Sequence, residues 1–310
     1  MKEYTSAASY KNERNSVVTI GTFDGVHIGH RAILDRLVST AKNDGLESIV
    51  FTFFPHPRMV LQQESEIKLI NTLREKKQLL EQTGLDHLIV HPFTKAFSRL
   101  TAIEFVRDIL VNSLKAKKII IGYDHRFGRN RTATIEDLRE FGTVYNFEVE
   151  EISAQELDEV TVSSTKIRKA LETGDITTAN HYLGYPFMLS GTVVKGQRIG
   201  RTIDYPTANL KIHEPHKLIP ANGVYIVFAE IEGNLVYGIT SIGTNPTVGG
   251  KQKTIETYFL DFNADLYDQP LRIEFIKHIR GEETFNDVEA LKEAIKQDEE
   301  HARTYLKHFG

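Results

Sequence analysis

The chain has 310 residues, enough for about two domains, each able to bury a core of its own. Charged residues make up 26% and apolar residues 40%, which excludes a disordered chain. A net charge of −4 and a pI near 6.3 argue against general nucleic-acid or anionic-membrane binding, and the lack of cysteine excludes disulfides and thiolate metal sites. The twelve histidines show no zinc spacing such as HExxH. No signal core opens the chain and no run approaches a membrane span, so a cytoplasmic location is the default expectation.

The first part alternates strand and helix. Residues 17–20 are β-formers that meet a Gly-rich turn, GTFDGVHIGH at 21–30. An amphipathic helix follows, with Ile33, Leu34, Leu37, Val38 and Ala41 on one face. Residues 48–54 and 87–90 read as strands. Residues 69–84 read as a helix in which Thr72 and Glu75 have capping-box spacing. Thr101 and Glu104 open another helix that runs to Leu114. Then come a strand at 118–122, a helix at 134–141, a strand at 147–152 and a helix at 164–173. Gly174 stops that helix and Asp175 caps the next, which ends near Gly184. This alternation predicts a doubly wound parallel α/β sheet over 1–184.

Tyr185-Pro186 changes the rhythm. Six short strands follow at 188–194, 207–212, 223–231, 235–242, 255–262 and 271–279, with no helices between them. Gly233-Asn234 is a hairpin signal. A small closed β-barrel over 185–310 is expected. A last helix opens with Asn286 and Glu289 in box-like spacing and presents Val288, Leu291, Ile295, Ala302 and Leu306 to the body.

His27 and His30 are the most informative pair. Three residues apart at a helix start, they can point the same way. The free N–H groups and positive dipole end there attract an anion. Gly21, Gly25 and Gly29 let the backbone approach it. Binding of a nucleoside triphosphate fits this pattern.

The GTFDGVHIGH string resembles the adenylyltransferase half of the bacterial bifunctional riboflavin kinase/FAD synthetases. Its HxGH core is shared across the wider nucleotidylyltransferase superfamily. The resemblance implies a Rossmann-like nucleotidylyltransferase domain followed by a six-stranded antiparallel barrel with a terminal helix. It also implies that Gly21, Phe23, Asp24, Gly25 and Gly29 bind ATP.

Three further segments bear on the same half. In Phe53-Phe-Pro-His-Pro-Arg58, His56 and Arg58 can reach a phosphate or the flavin, although a stiff Pro-rich turn with a surface Arg reads equally well. Gly122-Tyr-Asp-His-Arg-Phe-Gly128 follows a strand and offers Asp124, Arg126 and Phe127. Relatives carry a G-x-(D/N)-F-x-F-G loop there, and His125 departs from it. Ser163-Ser-Thr-Lys-Ile-Arg168 starts a helix, and Lys166 and Arg168 run against its dipole. The segment matches the family's SSTxIR motif, which implies that Ser164, Thr165 and Arg168 hold the β- and γ-phosphates.

The implied reaction is attack of the FMN phosphate on the α-phosphorus of ATP, releasing pyrophosphate. No nucleophilic side chain is required. His27 and His30 neutralise the developing charge, helped by Arg168 and Mg²⁺. If both imidazoles are donors, activity falls as pH rises through their pKa values.

In the second part, Lys195-Gly-Gln-Arg-Ile-Gly-Arg201 precedes Tyr205-Pro-Thr-Ala-Asn-Leu210. Thr207 and Asn209 lie two apart on a strand and face one way. Their oxygens suit Mg²⁺ with phosphate. The PTAN string is a hallmark of riboflavin kinases, and the resemblance implies ATP contacts from Gly196, Gly200, Arg201, Thr207 and Asn209. It assigns Glu256 as the base that takes a proton from the ribityl 5′-hydroxyl. Ile199, Asp204 and Asp268 depart from the usual pattern, the last two standing where Gly is common. Arg280 and Asp298 match flavin-side regions, yet alone they read as solvated charges. Small molecules are the expected partners: riboflavin, FMN and ATP. Two alternatives stay open, another adenylyl or cytidylyl transferase with an accessory barrel, and a nucleic-acid-binding barrel fused to a nucleotide sensor.

Overall fold

Strand β2 (Ser16–Ile20) is buried at all five positions, as a central strand of a parallel sheet covered on both faces should be. The structure is a computed structural model and describes residues 1–62, 67–123, 125–153, 162–196, 205–247 and 250–308. They fall into two compact units, Met1–Ser163 and Ser164–Gly310.

In the first unit β2 is joined by β1 (Lys2–Tyr4), β3 (Glu47–Phe53), β4 (His87–His91), β5 (Ala116–Gly122) and β6 (Glu148–Ile152). All pair in parallel, in the order β1-β4-β3-β2-β5-β6. The chain steps outward from β2 to β3 and β4, then returns to β2's other side as β5 and β6. The reversal makes a topological switch point beside the carboxyl end of β2, where open α/β sheets bind ligands.

The helices are α1 (Ile28–Asp44), α2 (Pro57–Leu61), α3 (Leu73–Glu81), α4 (Ala102–Glu104) and α5 (Ile135–Tyr145). Helix α1 buries Leu34, Leu37, Val38 and Ala41, four of the five residues expected on its inner face. Val18, Ile20, Ile49 and Phe51 form one core cluster with Phe105, Val106 and Leu110. The capping boxes at Thr72/Glu75 and Thr101/Glu104 are both present. Helix α4 runs on as a π-helical stretch, Phe105–Ser113, with Leu114 N–H donating to the Ile109 carbonyl at 2.9 Å.

Strand β1 was not expected. Three residues, mostly polar, carry no alternation signal. The strand holds the sheet edge by pairing with β4, while Tyr4 packs edge-on to Tyr10 and against His87.

The second unit is built on a closed antiparallel barrel. Its strands are β7 (Met188–Val194), β8 (Ala208–Lys211), β9 (Gly223–Ile231), β10 (Asn234–Thr247), β11 (Gly250–Phe259) and β12 (Pro270–Arg280). They close in the order β10-β11-β8-β7-β12-β9. Helices α6 (Ser164–Glu172) and α7 (Ile176–Leu183) precede the barrel and α8 (Val288–Leu306) follows it. Asp175 caps α7 as expected. The unit starts at Ser164, ahead of the 184/185 boundary expected from sequence, because α6 and α7 pack with the barrel. The Asn180 amide donates to the Phe275 carbonyl at 2.8 Å, and its oxygen accepts the Phe187 N–H at 2.7 Å.

Local chemistry shifts two expected signals by one residue. The hairpin turn is Glu232-Gly233, with φ of 53° and 80°, and Ile231 pairs with Asn234. Helix α8 is capped by Asp287, whose carboxylate accepts the Ala290 N–H at 2.8 Å, in place of Asn286. Ala302 is fully buried, but Val288 is 50% exposed and does not join the inner face. Asp268 has φ 61°, the left-handed conformation that glycine takes freely and aspartate tolerates. That explains how Asp stands where Gly is usual. Arg280 and Asp298 are not solvated charges. They form a two-pronged ion pair at 2.9 and 2.8 Å, with Asp298 buried.

Candidate active sites

The turn after β2 presents both histidines together. His27 is the N-cap of α1, and its Nδ1 accepts the His30 backbone N–H at 3.4 Å. His30 lies in the first helical turn, so the two rings stack with centroids 3.6 Å apart and 18° between planes. The Phe23 ring lies 5.0 Å from that of His30.

The backbone leading into this pair is strained. Phe23, Gly25 and Val26 have φ of 47°, 93° and 38°. Left-handed conformations at non-glycine residues cost on the order of 1–3 kcal/mol each and persist where surrounding bonds over-determine them. Such bonds are present. The Thr22 carbonyl accepts Lys76 Nζ at 2.7 Å and Thr52 Oγ1 at 3.2 Å. The Asp24 carboxylate accepts the N–H groups of Ile70 and Asn71 at 3.0 and 3.4 Å. Asp24 is therefore buried and turned onto the segment that leads into α3.

Burial, then the neighbouring His27, then Lys76 hold the His30 imidazole well below its ordinary pKa. Its Nδ1 is buried with no hydrogen-bond partner among the described residues. His30 is thus neutral near pH 7, and a neutral ring still donates one N–H. Loss of activity on raising the pH through an imidazolium pKa is not expected of His30 in the free protein.

The structure places Gly21, Phe23, Asp24, Gly25, His27, Gly29 and His30 in this one turn. His56 caps α2 by accepting the Arg58 N–H at 3.2 Å. The Arg58 and Arg126 side chains are exposed. Phe127 is buried against Phe105, with ring centroids 6.1 Å apart, so its ring is largely spent on the core. His125, the departure from the family loop, stacks at 6.3 Å on Phe127. Asp124 lies outside the described residues. Ser164 begins α6 in the second unit, where Thr165 is exposed and Arg168 half-buried, and no acidic residue occupies that first turn.

Lys76 was missed. It is 5% exposed, and burial lowers its pKa while Asp24 opposes the shift. A signal did exist. Leu79 and Leu80 stand three and four residues on, which puts Lys76 on the inner face of α3.

The second candidate site lies on the barrel wall. Ile255, Thr257 and Phe259 of β11 are buried, so Glu256 between them turns to the other face. Strand register sets Glu256 opposite Asn209 of β8 and Ser241 of β10. Residues directly opposite share a face. Thr207 Oγ1 donates to Glu256 Oε2 at 3.2 Å. A Cβ on Gly196 would overlap the Asn209 amide, so the glycine lets the chain just after β7 pass close to that side chain. The Thr207 hydroxyl, the Asn209 amide and the Glu256 carboxylate thus lie on one stretch of the wall. Gly200 and Arg201, with Ile199 and Asp204, lie outside the described residues.

Beside this wall, the Asn222 amide donates to Thr244 Oγ1 at 2.6 Å and to Glu282 Oε2 at 2.7 Å, and Glu282 also accepts the Thr244 N–H. Nothing in the sequence points to Glu282. It lies on the loop after β12, far in sequence from both partners.

The family model described as FAD synthetase matches residues 9–166, and that described as riboflavin kinase matches 183–306. Proteins named bifunctional riboflavin kinase/FMN adenylyltransferase are similar over nearly the whole chain. The one from Listeria monocytogenes is 36% identical, covering 94% of this chain and 93% of its own length. That from Escherichia coli is 36% identical at 95% and 94%, and that from Pseudomonas fluorescens 38% at 94% and 93%. A crystal structure from Streptococcus pneumoniae, titled a macrolide-efflux protein, superposes with a TM-score of 0.89 at 32% identity, covering 97% of this chain and 98% of that one. Among the described residues no helix of this chain is long and apolar enough to cross a membrane. With two matched halves in order and relatives this similar end to end, the chain belongs to the bifunctional riboflavin kinase/FMN adenylyltransferase family.

Proposed function

We propose that this chain phosphorylates riboflavin with ATP and then adenylylates the resulting FMN to FAD, releasing pyrophosphate. The observation that carries the reading is the presence in one chain of two chemically different sites, a stacked imidazole pair at the switch point and an oxygen cluster on the barrel wall.

For adenylyl transfer, His27 and His30 donate hydrogen bonds to phosphate oxygens as charge builds on the bridging and leaving positions. Gly21, Gly25 and Gly29 bring the backbone close, and Phe23 and Asp24 hold the turn. Ser164, Thr165 and Arg168 take the β- and γ-phosphates. His56, Arg58, Asp124, Arg126 and Phe127 serve the flavin side, Phe127 chiefly by shaping the loop. The FMN phosphate is the nucleophile. Residues 1–184 form the functional half for this step and 185–310 that for the kinase step.

For the kinase step, Glu256 accepts the proton of the ribityl 5′-hydroxyl as it attacks the γ-phosphorus. Thr207 holds the Glu256 carboxylate, while Gly196, Gly200 and Arg201 cradle phosphate. Thr207 and Asn209 suit Mg²⁺, a hard cation that takes few protein oxygens and shares phosphate ligands. When bound there it would offset phosphate charge.

The test incubates the protein with riboflavin, ATP and Mg²⁺ and separates the flavins over time. Riboflavin should fall while FMN rises and then gives way to FAD. FMN that accumulates without FAD contradicts the adenylyl-transfer assignment, and unchanged riboflavin contradicts the kinase one.

A further inference from the structure

A buried ammonium is costly. Desolvation penalises the charge, and a methionine of similar length would fill the space without that penalty. The Lys76 charge therefore calls for a role. Its Nζ reaches from α3 to the Thr22 carbonyl at 2.7 Å, inside the strained segment that ends in His27. Asp24, two residues along that segment, reaches back to the N–H groups of Ile70 and Asn71 ahead of α3. Turn and helix are thus laced in both directions, and Lys76 supplies the bond that runs from helix to turn.

We propose that Lys76 is a positioning residue for adenylyl transfer: from within α3 its ammonium fixes the left-handed turn that presents His27 and His30. This rests on the adenylyl-transfer reading above. Misplacing a reacting group by about 1 Å can cost on the order of 100-fold in rate, so a bond that fixes this turn has leverage. The charge has a second effect. The ionisable groups facing His30 are His27 at the cap and Lys76 from α3, with Asp24 beside Lys76. Lys76 helps keep His30 neutral and so able to stack on His27.

Three variants separate these effects. Lys76→Met removes bond and charge, Lys76→Gln keeps a donor without charge, and Lys76→Arg keeps the charge. Each is assayed for FMN adenylylation and riboflavin phosphorylation, and His30 is titrated by NMR of its ring carbon. Lys76→Met should slow adenylylation at least ~10-fold and leave phosphorylation unchanged. The His30 midpoint should move to higher pH in the Met and Gln variants and stay put in the Arg variant. Wild-type adenylylation in Lys76→Met overturns the proposal. So does an unmoved His30 midpoint in both uncharged variants, which would leave Lys76 a packing residue. Should Lys76→Met fail to fold, the Gln and Arg pair decides by the same midpoint. If the wild-type protein forms no FAD, the functional reading fails, while the His30 titration still reports on Lys76.

Discussion

The turn after β2 and the wall formed by β8 and β11, the two proposed phosphate sites, are built in opposite ways. In the turn, two stacked imidazoles stand on strained backbone, braced by a buried lysine and a buried aspartate. On the wall, half-exposed Asn209 and Glu256 are set opposite each other by the register of regular strands, and half-exposed Thr207, just ahead of β8, bonds to Glu256. The first site invests folding free energy in geometry before any ligand arrives. The second sets polar side chains on a half-exposed surface, as the proposed cation and base roles require. Each arrangement suits its step. Adenylyl transfer needs charge neutralised at fixed points and no base, whereas phosphorylation of an alcohol needs a proton acceptor.

The two sites separate most clearly in Glu256→Gln. Loss of the base should lower FMN formation about 100-fold or more while FMN-to-FAD conversion stays intact. Separation of flavins in parallel reactions started from riboflavin and from FMN measures both rates, and a joint loss would mean the sites are not independent. Next in size, His27→Ala and His30→Ala should each lower adenylylation by at least ~10-fold with normal FMN formation. Near wild-type FAD turnover in both would remove the imidazoles from the chemistry.

Gly196→Ala probes the wall alone. Its methyl overlaps the Asn209 amide, so the kinase step should slow about 10-fold, with little change in melting temperature or adenylylation. The smallest effect concerns pH. The His30 pKa is depressed on folding, so the unfolded chain binds a proton there that the folded chain refuses. The stability contributed by neutral His30 is complete above about pH 6.5 and is lost as pH falls below it. Denaturant titrations from pH 7.5 to 5.5 should show the fall, and His30→Gln should flatten it.

Much of this was legible in the sequence because regular elements advertise themselves. The Thr72 and Thr101 capping boxes, the Asp175 cap and the six barrel strands all carry local patterns that the structure honours. Strand β1 did not, because a three-residue edge strand of mostly polar residues has no period to read. The His27–His30 pair was legible because three-residue spacing at a helix start fixes a shared direction. Asp24 read as a ligand contact since nothing local reveals that its carboxylate is committed to Ile70 and Asn71. Lys76, Glu282 and the Arg280–Asp298 pair depend on contacts far apart in sequence. Their charges read as surface until tertiary packing buries or pairs them.

If one chain holds two independent phosphate chemistries, two variants each lacking one of them should complement each other. Glu256→Gln and His30→Ala proteins are each given riboflavin, ATP and Mg²⁺, alone and mixed, and FAD is quantified. The first protein should make almost no FAD and the second FMN with little FAD, and FAD should be restored in the mixture as FMN passes through solution. A mixture that makes no more FAD than its components, from two folded proteins, would contradict two independent chemistries.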